Sequence, residues 1–216
     1  MFITSFIHKI LKKLDVYSPR PRYYAFIMSP SERNLFDQYV KKSKLYLEFG
    51  AGGSTLRALT ISKAQVYSID SSQEWINSMH RYWLVRFQEN KRLFLKFMDI
   101  GPTKEWGQPD GVLSKDLFPN YSSGIFSFLE GKIPDTILID GRFRVACALQ
   151  VILHYHGHAD TKILIHDFWN RPEYHAVLQY LEVFNQADTL GVFGIKKDVD
   201  LSKVKAEYEL YKFDFN

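Results

Sequence analysis

Short apolar runs closed by polar or acidic residues alternate along this chain with segments whose apolar residues recur at helical spacing. Leu45-Tyr46-Leu47-Glu48-Phe49, Gln65-Val66-Tyr67-Ser68-Ile69-Asp70 and Leu93-Phe94-Leu95-Lys96-Phe97-Met98-Asp99 read as buried strands. So do Asp135-Thr136-Ile137-Leu138-Ile139-Asp140 and Thr161-Lys162-Ile163-Leu164-Ile165-His166-Asp167. Between them lie predicted helices over residues 30–42, 56–61, 72–88 and 145–155. The third carries Trp75, Ile76, Met79, Trp83 and Leu84 at core spacing, and the fourth places Cys147 in the core. Ser29-Pro30-Ser31-Glu32 marks a helix start. Pro172-Glu173 opens a helix expected to run to about Phe184. Leu190–Lys196 and Glu207–Phe215 are expected to close the chain as an antiparallel hairpin. Strands alternating with helices predict an α/β fold with a doubly wound, mostly parallel sheet.

Residues 101–134 break this rhythm with a cluster of Gly and Pro and with aromatics that include Trp106, Phe118, Tyr121 and Phe126. A loop of that length in a compact domain points to function. A helix is expected near Gly124–Glu130, with the remainder forming part of a wall or lid over a substrate.

The turn after the first strand is the densest signal. Glu48-Phe49-Gly50-Ala51-Gly52-Gly53-Ser54-Thr55 places an acid, three glycines within four positions and then Ser-Thr at a strand-to-helix junction. Gly50 and Gly52 let the backbone bend and let a ligand approach the main chain. Ser54 or Thr55 is expected to cap the following helix, with first-turn amides facing the ligand. Asp70 follows Glu48 by 22 residues, the interval at which a βαβ unit presents a carboxylate to ribose hydroxyls. Glu48, Asp70, Asp99, Asp140 and Asp167 all fall at or near strand ends. In a parallel doubly wound sheet those ends share one edge, where ligands bind.

The order E-x-G-x-G-G-S-T resembles the first motif of the Rossmann-like class I methyltransferases that use S-adenosylmethionine (SAM). The resemblance covers about residues 30–216. Trp106-Gly107-Gln108-Pro109 together with Ile139-Asp140-Gly141-Arg142-Phe143-Arg144 looks more specifically like a bacterial methyltransferase-like group of unassigned substrate. It implies a seven-stranded sheet with an antiparallel last strand and SAM as cofactor. It also implies cofactor contacts from Glu48, Gly50, Ala51, Gly52, Ser54, Thr55, Asp70 and Ser71, with Asp99 at the adenine amino group. A nicotinamide-dependent oxidoreductase is disfavoured, because the third glycine directly follows the second instead of lying deeper in the helix.

Composition narrows the picture. The chain has 216 residues, 46% of them hydrophobic, which suits one large domain, and no apolar run approaches the roughly 20 residues of a membrane span. Cys147 is the single cysteine, so an intramolecular disulfide and a cysteine zinc cluster are excluded, and a cytoplasmic location is expected. Net charge is +4, distributed as +6 over residues 1–45 and −2 over the rest, which argues against nucleic acid as the main substrate. Residues 2–14 form an amphipathic basic pattern that suits either an anionic membrane surface or packing on the domain or on a second subunit. We therefore divide the chain into an N-terminal helix and linker, residues 1–28, and a catalytic domain, residues 29–216.

Methyl transfer to a hydroxyl needs alignment of donor and acceptor and removal of one proton. His166 suits a base because its ordinary pKa lies near neutrality; Asp140 and Asp167 are its companions at the sheet edge. Asp140 and Asp167 also resemble the Mg2+-binding pair of catechol-type O-methyltransferases. Phe168 stands where that family has Asn, so no metal ligand is assigned and Mg2+ is left as an alternative. Arg142, Arg144 and Trp106 are the candidate contacts to the acceptor, the two arginines through a carboxylate or phosphate. The expected activity is O-methylation of a small molecule or glycan. A non-catalytic SAM- or nucleoside-binding protein on the same fold is the alternative.

Overall fold

The computed structural model describes residue 11 and residues 13–215. The amphipathic pattern expected over residues 2–14 lies almost wholly outside them. Seven strands form one sheet in the order β3-β2-β1-β4-β5-β7-β6. They are β1 (Leu45–Phe49), β2 (Gln65–Asp70), β3 (Leu93–Phe97), β4 (Thr136–Ile139), β5 (Lys162–Ile165), β6 (Leu181–Ala187) and β7 (Leu190–Ile195). The first five run parallel, and β7 pairs antiparallel with both β5 and β6. The helices are α1 (Pro30–Val40), α2 (Gly53–Ile61), α3 (Gln73–Met79), α4 (Trp83–Gln88), α5 (Pro119–Leu129), α6 (Arg144–Tyr155) and α7 (Leu201–Tyr211).

Side-chain alternation in the strands divides the core between two faces. Leu47, Phe49, Ile137, Ile139, Ile163 and Ile165 pack with α5, α6 and α7, including Ile125, Cys147 and Val204. Tyr46, Val66, Leu138, Leu164 and Val192 pack with α1, α2 and the α3–α4 segment, including Phe36, Leu56 and Met79. Where both faces are covered, as along β1, β2, β4 and β5, the strands are largely apolar, whereas the edge strand β6 is mostly exposed and carries Glu182, Asn185 and Gln186. Among the described residues no helix is long and apolar enough to cross a membrane.

The C-terminal quarter departs from expectation. The hairpin is β6–β7, turning through Asp188 and Thr189, where Asp188 adopts φ 47 as a two-residue turn requires. The helix expected to reach Phe184 is a 3-10 helix ending at Gln179. The strand expected over Glu207–Phe215 is instead α7 and its exit. Asp200 caps that helix, accepting from the Ser202 amide at 2.9 Å, and Val204 and Tyr208, four apart, are its buried residues. The helix expected over 72–88 breaks into α3 and α4. Trp75 and Trp83, expected in its core, are 41% and 37% exposed. The long segment 101–134 holds two short 3-10 helices and then α5, which starts at Pro119, well before the expected position.

Candidate active site

The edge formed by the C-terminal ends of β1, β2, β4 and β5 gathers most of the expected site residues. Glu48 has no solvent exposure and lies beneath the glycine turn. Its carboxylate accepts from the Tyr46 hydroxyl at 2.8 Å, from Ser68 Oγ at 2.7 Å and from the Thr55 hydroxyl. Thr55 Oγ1 in turn accepts from the Gly52 amide at 2.8 Å. The acid therefore shapes the turn from below through Thr55. Burial pushes its pKa up against the hydroxyl hydrogen bonds that stabilise the anion.

The turn uses its own amides. Gly50 and Ala51 N–H both donate to the Ile69 carbonyl at 3.0 Å, and Gly52 N–H is held by Thr55. The helix cap is Gly52, so Ser54 and Thr55 lie inside the first turn and do not cap it as expected. Gly50 has φ +104, and a Cβ there would lie 2.8 Å from the Gly141 nitrogen, so only glycine permits the β1 and β4 ends to meet this closely.

Asp70 is half-buried at the end of β2. Burial pushes its pKa up to about 7, although the Ser72, Ala51 and Ser71 amides donate to it. Ser71 Oγ donates to the Gly107 carbonyl at 3.0 Å. That bond brings the Trp106–Gly107 turn over Asp70, and a Cβ on Gly107 would lie 2.5 Å from Ser71 Oγ. Trp106 itself is 72% exposed at φ 62. Trp75 covers the other side, its indole N–H donating to Ala51 O. Asp99 is exposed and accepts from the Gly101 amide at 2.9 Å, closing its own turn.

The second cluster is built from β4, β5, α1 and α6. His166 is 7% exposed, and its Nδ1 lies 3.0 Å from Asp140 Oδ1 and 3.9 Å from Asp167 Oδ1. Its Nε2 faces Glu32 Oε2 at 3.5 Å. Burial acts to lower the His166 pKa, but the Asp140 hydrogen bond and the charges of Asp140, Asp167 and Glu32 together raise it. Both ring nitrogens are committed to carboxylates, and the imidazolium is favoured. Glu32 was not foreseen as part of the site. It is the N3 acid of the α1 capping box, accepting from the Ser29 amide at 2.7 Å and from Thr189 N and Oγ1 at 2.9 and 2.6 Å. The Ser29-to-Glu32 spacing announces the capping box, but not that the β6–β7 hairpin and His166 meet it.

Arg144 spans the two aspartates. It lies 3.3 Å from Asp140 Oδ1 and 3.2 Å from Asp167 Oδ2, and it donates to the Gly141 and His166 carbonyls. Phe143 and Asp167 both adopt left-handed φ, 55 and 53, which places these groups at the ends of β4 and β5. Donor atoms of Asp140, His166 and Asp167 lie within 4.8 Å of one another, a spacing a divalent ion can bridge. The Arg144 guanidinium and the His166 imidazolium together already offset the two carboxylates there, so the cluster as it stands does not fit a resident cation. Arg142 lies beside it, with Nε buried and unpartnered among the described residues. A surface recess of about 350 Å3 lined by Arg20, Pro21, Arg22, Tyr24, Arg57 and Thr60 contains none of these groups.

A doubly wound sheet with a glycine turn after β1 and acids along one edge is an α/β architecture whose ligand crevice lies outside the carboxyl ends of the strands. No protein-family model matches the chain, and no curated protein matches it. Among solved structures it is similar to a methyltransferase-like protein from Silicibacter pomeroyi DSS-3. That match has a TM-score of 0.76 at 24% identity and covers 91% of this chain and 100% of the other. Weaker similarity extends to magnesium protoporphyrin IX methyltransferase from Synechocystis PCC 6803, solved with SAM bound (TM-score 0.42, 12% identity, 86% and 94% coverage). It also extends to an rRNA methylase from Streptococcus thermophilus (TM-score 0.44, 13% identity, 79% and 99% coverage). The fold assignment rests on the first of these: the chain has the class I methyltransferase-like fold, and its strand order and antiparallel β7 agree.

Proposed function

We propose that this chain is a SAM-dependent methyltransferase acting on a hydroxyl of a small molecule or glycan. The observation that carries the reading is the placement of two chemically different clusters on one sheet edge. Asp70 and the Gly50–Gly52 turn suit a nucleoside, and Asp140, His166 and Asp167 suit a proton-accepting acceptor site. The net charge of −2 over residues 46–216 favours a small or glycan acceptor over nucleic acid.

The chemistry of the residues fits an adenosyl group. Asp70 offers a carboxylate to a vicinal diol, Asp99 an exposed acceptor for an adenine amino group, and Gly52 a main chain without a side chain in the way. Ser71 and Ala51 flank the same seat, while Glu48, Ser54 and Thr55 hold the turn. When bound, SAM supplies an electrophilic methyl on sulfonium. The chain's part is to align the acceptor oxygen and receive its proton as the O–C bond forms. Asp140 is the acceptor of that proton: its side chain is 25% exposed, whereas His166 is enclosed and already favours the protonated form. His166, held between Asp140 and Glu32, is a positioning residue. Asp167 fixes Arg144 on the opposite side.

Calorimetry with SAM, S-adenosylhomocysteine (SAH) and NAD tests the reading directly. We expect SAM and SAH to bind and NAD not to; binding of NAD alone overturns the proposal. One observation favours the second reading, a non-catalytic binding protein: both His166 nitrogens face carboxylates and Asp140 is already paired with Arg144, so each candidate base is engaged. Trp75 and Gly107 rest over the nucleoside seat under either reading. SAH binding without turnover on any hydroxylated acceptor would support that alternative.

A further inference from the structure

Arg142 lies three residues past the end of β4 and carries a buried Nε with no hydrogen-bond partner among the described residues. The neighbouring guanidinium groups are spoken for. Arg144 holds Asp140, Asp167 and two backbone carbonyls. Arg171 pairs with Asp167 at 3.7 Å and donates to the Tyr174 hydroxyl at 3.2 Å. A buried donor left unpaired is costly, and natural structures rarely keep one without a ligand or water to satisfy it. Burial and repulsion from Arg144 and Arg171 also push the Arg142 pKa down.

The backbone adds to this. Helix α6 starts two residues later, and its N-cap, Phe143, offers no side-chain acceptor to the first-turn amides. A helix start lacking a cap, beside a planar guanidinium with an unused N–H, recognises an oxyanion. The Tyr121 hydroxyl accepts from the Arg142 amide and anchors the turn from below. Asp140, assigned above to the acceptor hydroxyl, is two residues away on the same strand end.

We infer that the methyl acceptor carries a carboxylate or phosphate, and that Arg142 grips it. This rests on the methyltransferase reading, since it places the acceptor and not the cofactor at Arg142. It narrows the acceptor from hydroxylated molecules in general to acidic ones.

The test uses the full chain, labelled with 15N-arginine and saturated with SAH. The Arg142 Nε–H resonance is assigned by its loss in Arg142→Lys. It is followed while inorganic phosphate and then acetate are added at constant ionic strength, with chloride as control. The resonance is expected to shift with at least one of the two and not with chloride. Phosphate alone indicates a phosphorylated acceptor and acetate alone a carboxylated one. Arg142→Gln is expected to weaken binding of that anion at least tenfold and leave SAH affinity unchanged. An unmoved resonance overturns the inference, as does equal anion binding by wild type and Arg142→Gln. A resonance that moves on SAH addition alone also overturns it, because Arg142 then serves the cofactor's carboxylate. If Arg142→Gln fails to fold, the wild-type titration decides alone. If the wild type binds no SAH, the methyltransferase reading has failed. Repeating the titration on the unliganded chain then decides separately whether Arg142 takes an oxyanion.

Discussion

The indole Nε1 of Trp75 donates to the carbonyl oxygen of Ala51 at 2.5 Å, which ties an aromatic ring from α3 onto the glycine turn between β1 and α2. The ring is 41% exposed, so one face is wet while the N–H end is anchored. A nucleoside reaching Asp70 passes this ring. Breaking the hydrogen bond costs about 0.5–1.5 kcal/mol. Trp75→Phe is therefore expected to tighten SAH binding by roughly 2- to 10-fold. SAH is also expected to change the tryptophan emission of the wild type more than that of the variant. Equal emission changes in the two would show that the ring stays in place when ligand binds.

Asp70 carries a pH signature. Its folded pKa is raised to about 7, so the unliganded protein holds a proton there across the range in which an unfolded aspartate has lost it. The stability linked to this group is complete below the unfolded value and falls as pH rises through about 7. A ribose diol donates to the ionised form, so its binding expels that proton. SAH affinity should therefore rise between pH 6 and 8 and level off above. Calorimetry in buffers of different ionisation heat should register proton release at pH 6 and little at pH 8.5. A flat profile would mean that Asp70 does not meet the diol.

Glu48 is expected to govern stability more than chemistry. Three hydroxyls, from Tyr46, Thr55 and Ser68, point at its carboxylate inside the core. Glu48→Gln replaces one acceptor oxygen by an NH2 group and leaves at least one donor facing another. A loss of about 1–3 kcal/mol in urea unfolding is expected. Thr55→Val frees the Gly52 amide and is expected to weaken SAH binding as well.

His166 offers a second pH test with the opposite chemistry. Its pKa is raised above the ordinary 6.5, so its contribution is complete below that value and is lost as pH rises through the folded one. His166→Gln should destabilise the protein by about 1–3 kcal/mol at pH 6, with the difference shrinking toward pH 9. Taking the difference between wild type and variant cancels the Asp70 contribution. A pH-independent difference would remove the charged triad of His166, Asp140 and Glu32.

Arg144 occupies the position between Asp140 and Asp167 that a divalent cation would bridge. Treatment with EDTA is accordingly expected to leave SAH binding and methyl transfer unchanged, and Mg2+ to leave the melting temperature unmoved. Restoration of lost activity by Mg2+ would show that Arg144 withdraws in the working enzyme.

What the linear chain determined was the periodic skeleton. Strands buried on both faces are apolar for most of their length, so β1 to β5 are visible as runs, with Asp70, Asp99, Asp140 and Asp167 at or just past their ends and Glu48 admitted inside β1 where hydroxyls satisfy it. Helix α6 and the glycine turn are equally local, because a backbone that must bend sharply admits little but glycine. The final third was not local. Leu181–Ala187 is a strand because β7 stands beside it to pair, and Leu201–Tyr211 is a helix because two residues, Val204 and Tyr208, find a core on α6 while Asp200 closes its start. The site divides in the same way. Residue type and position marked Asp70, Asp140 and His166. That Glu32 backs His166 from α1, that Arg144 fills the space between two aspartates and that Arg142 Nε is left without a partner among the described residues follow only from distances between groups far apart in sequence. Charge pairing depends on those distances and not on chain order.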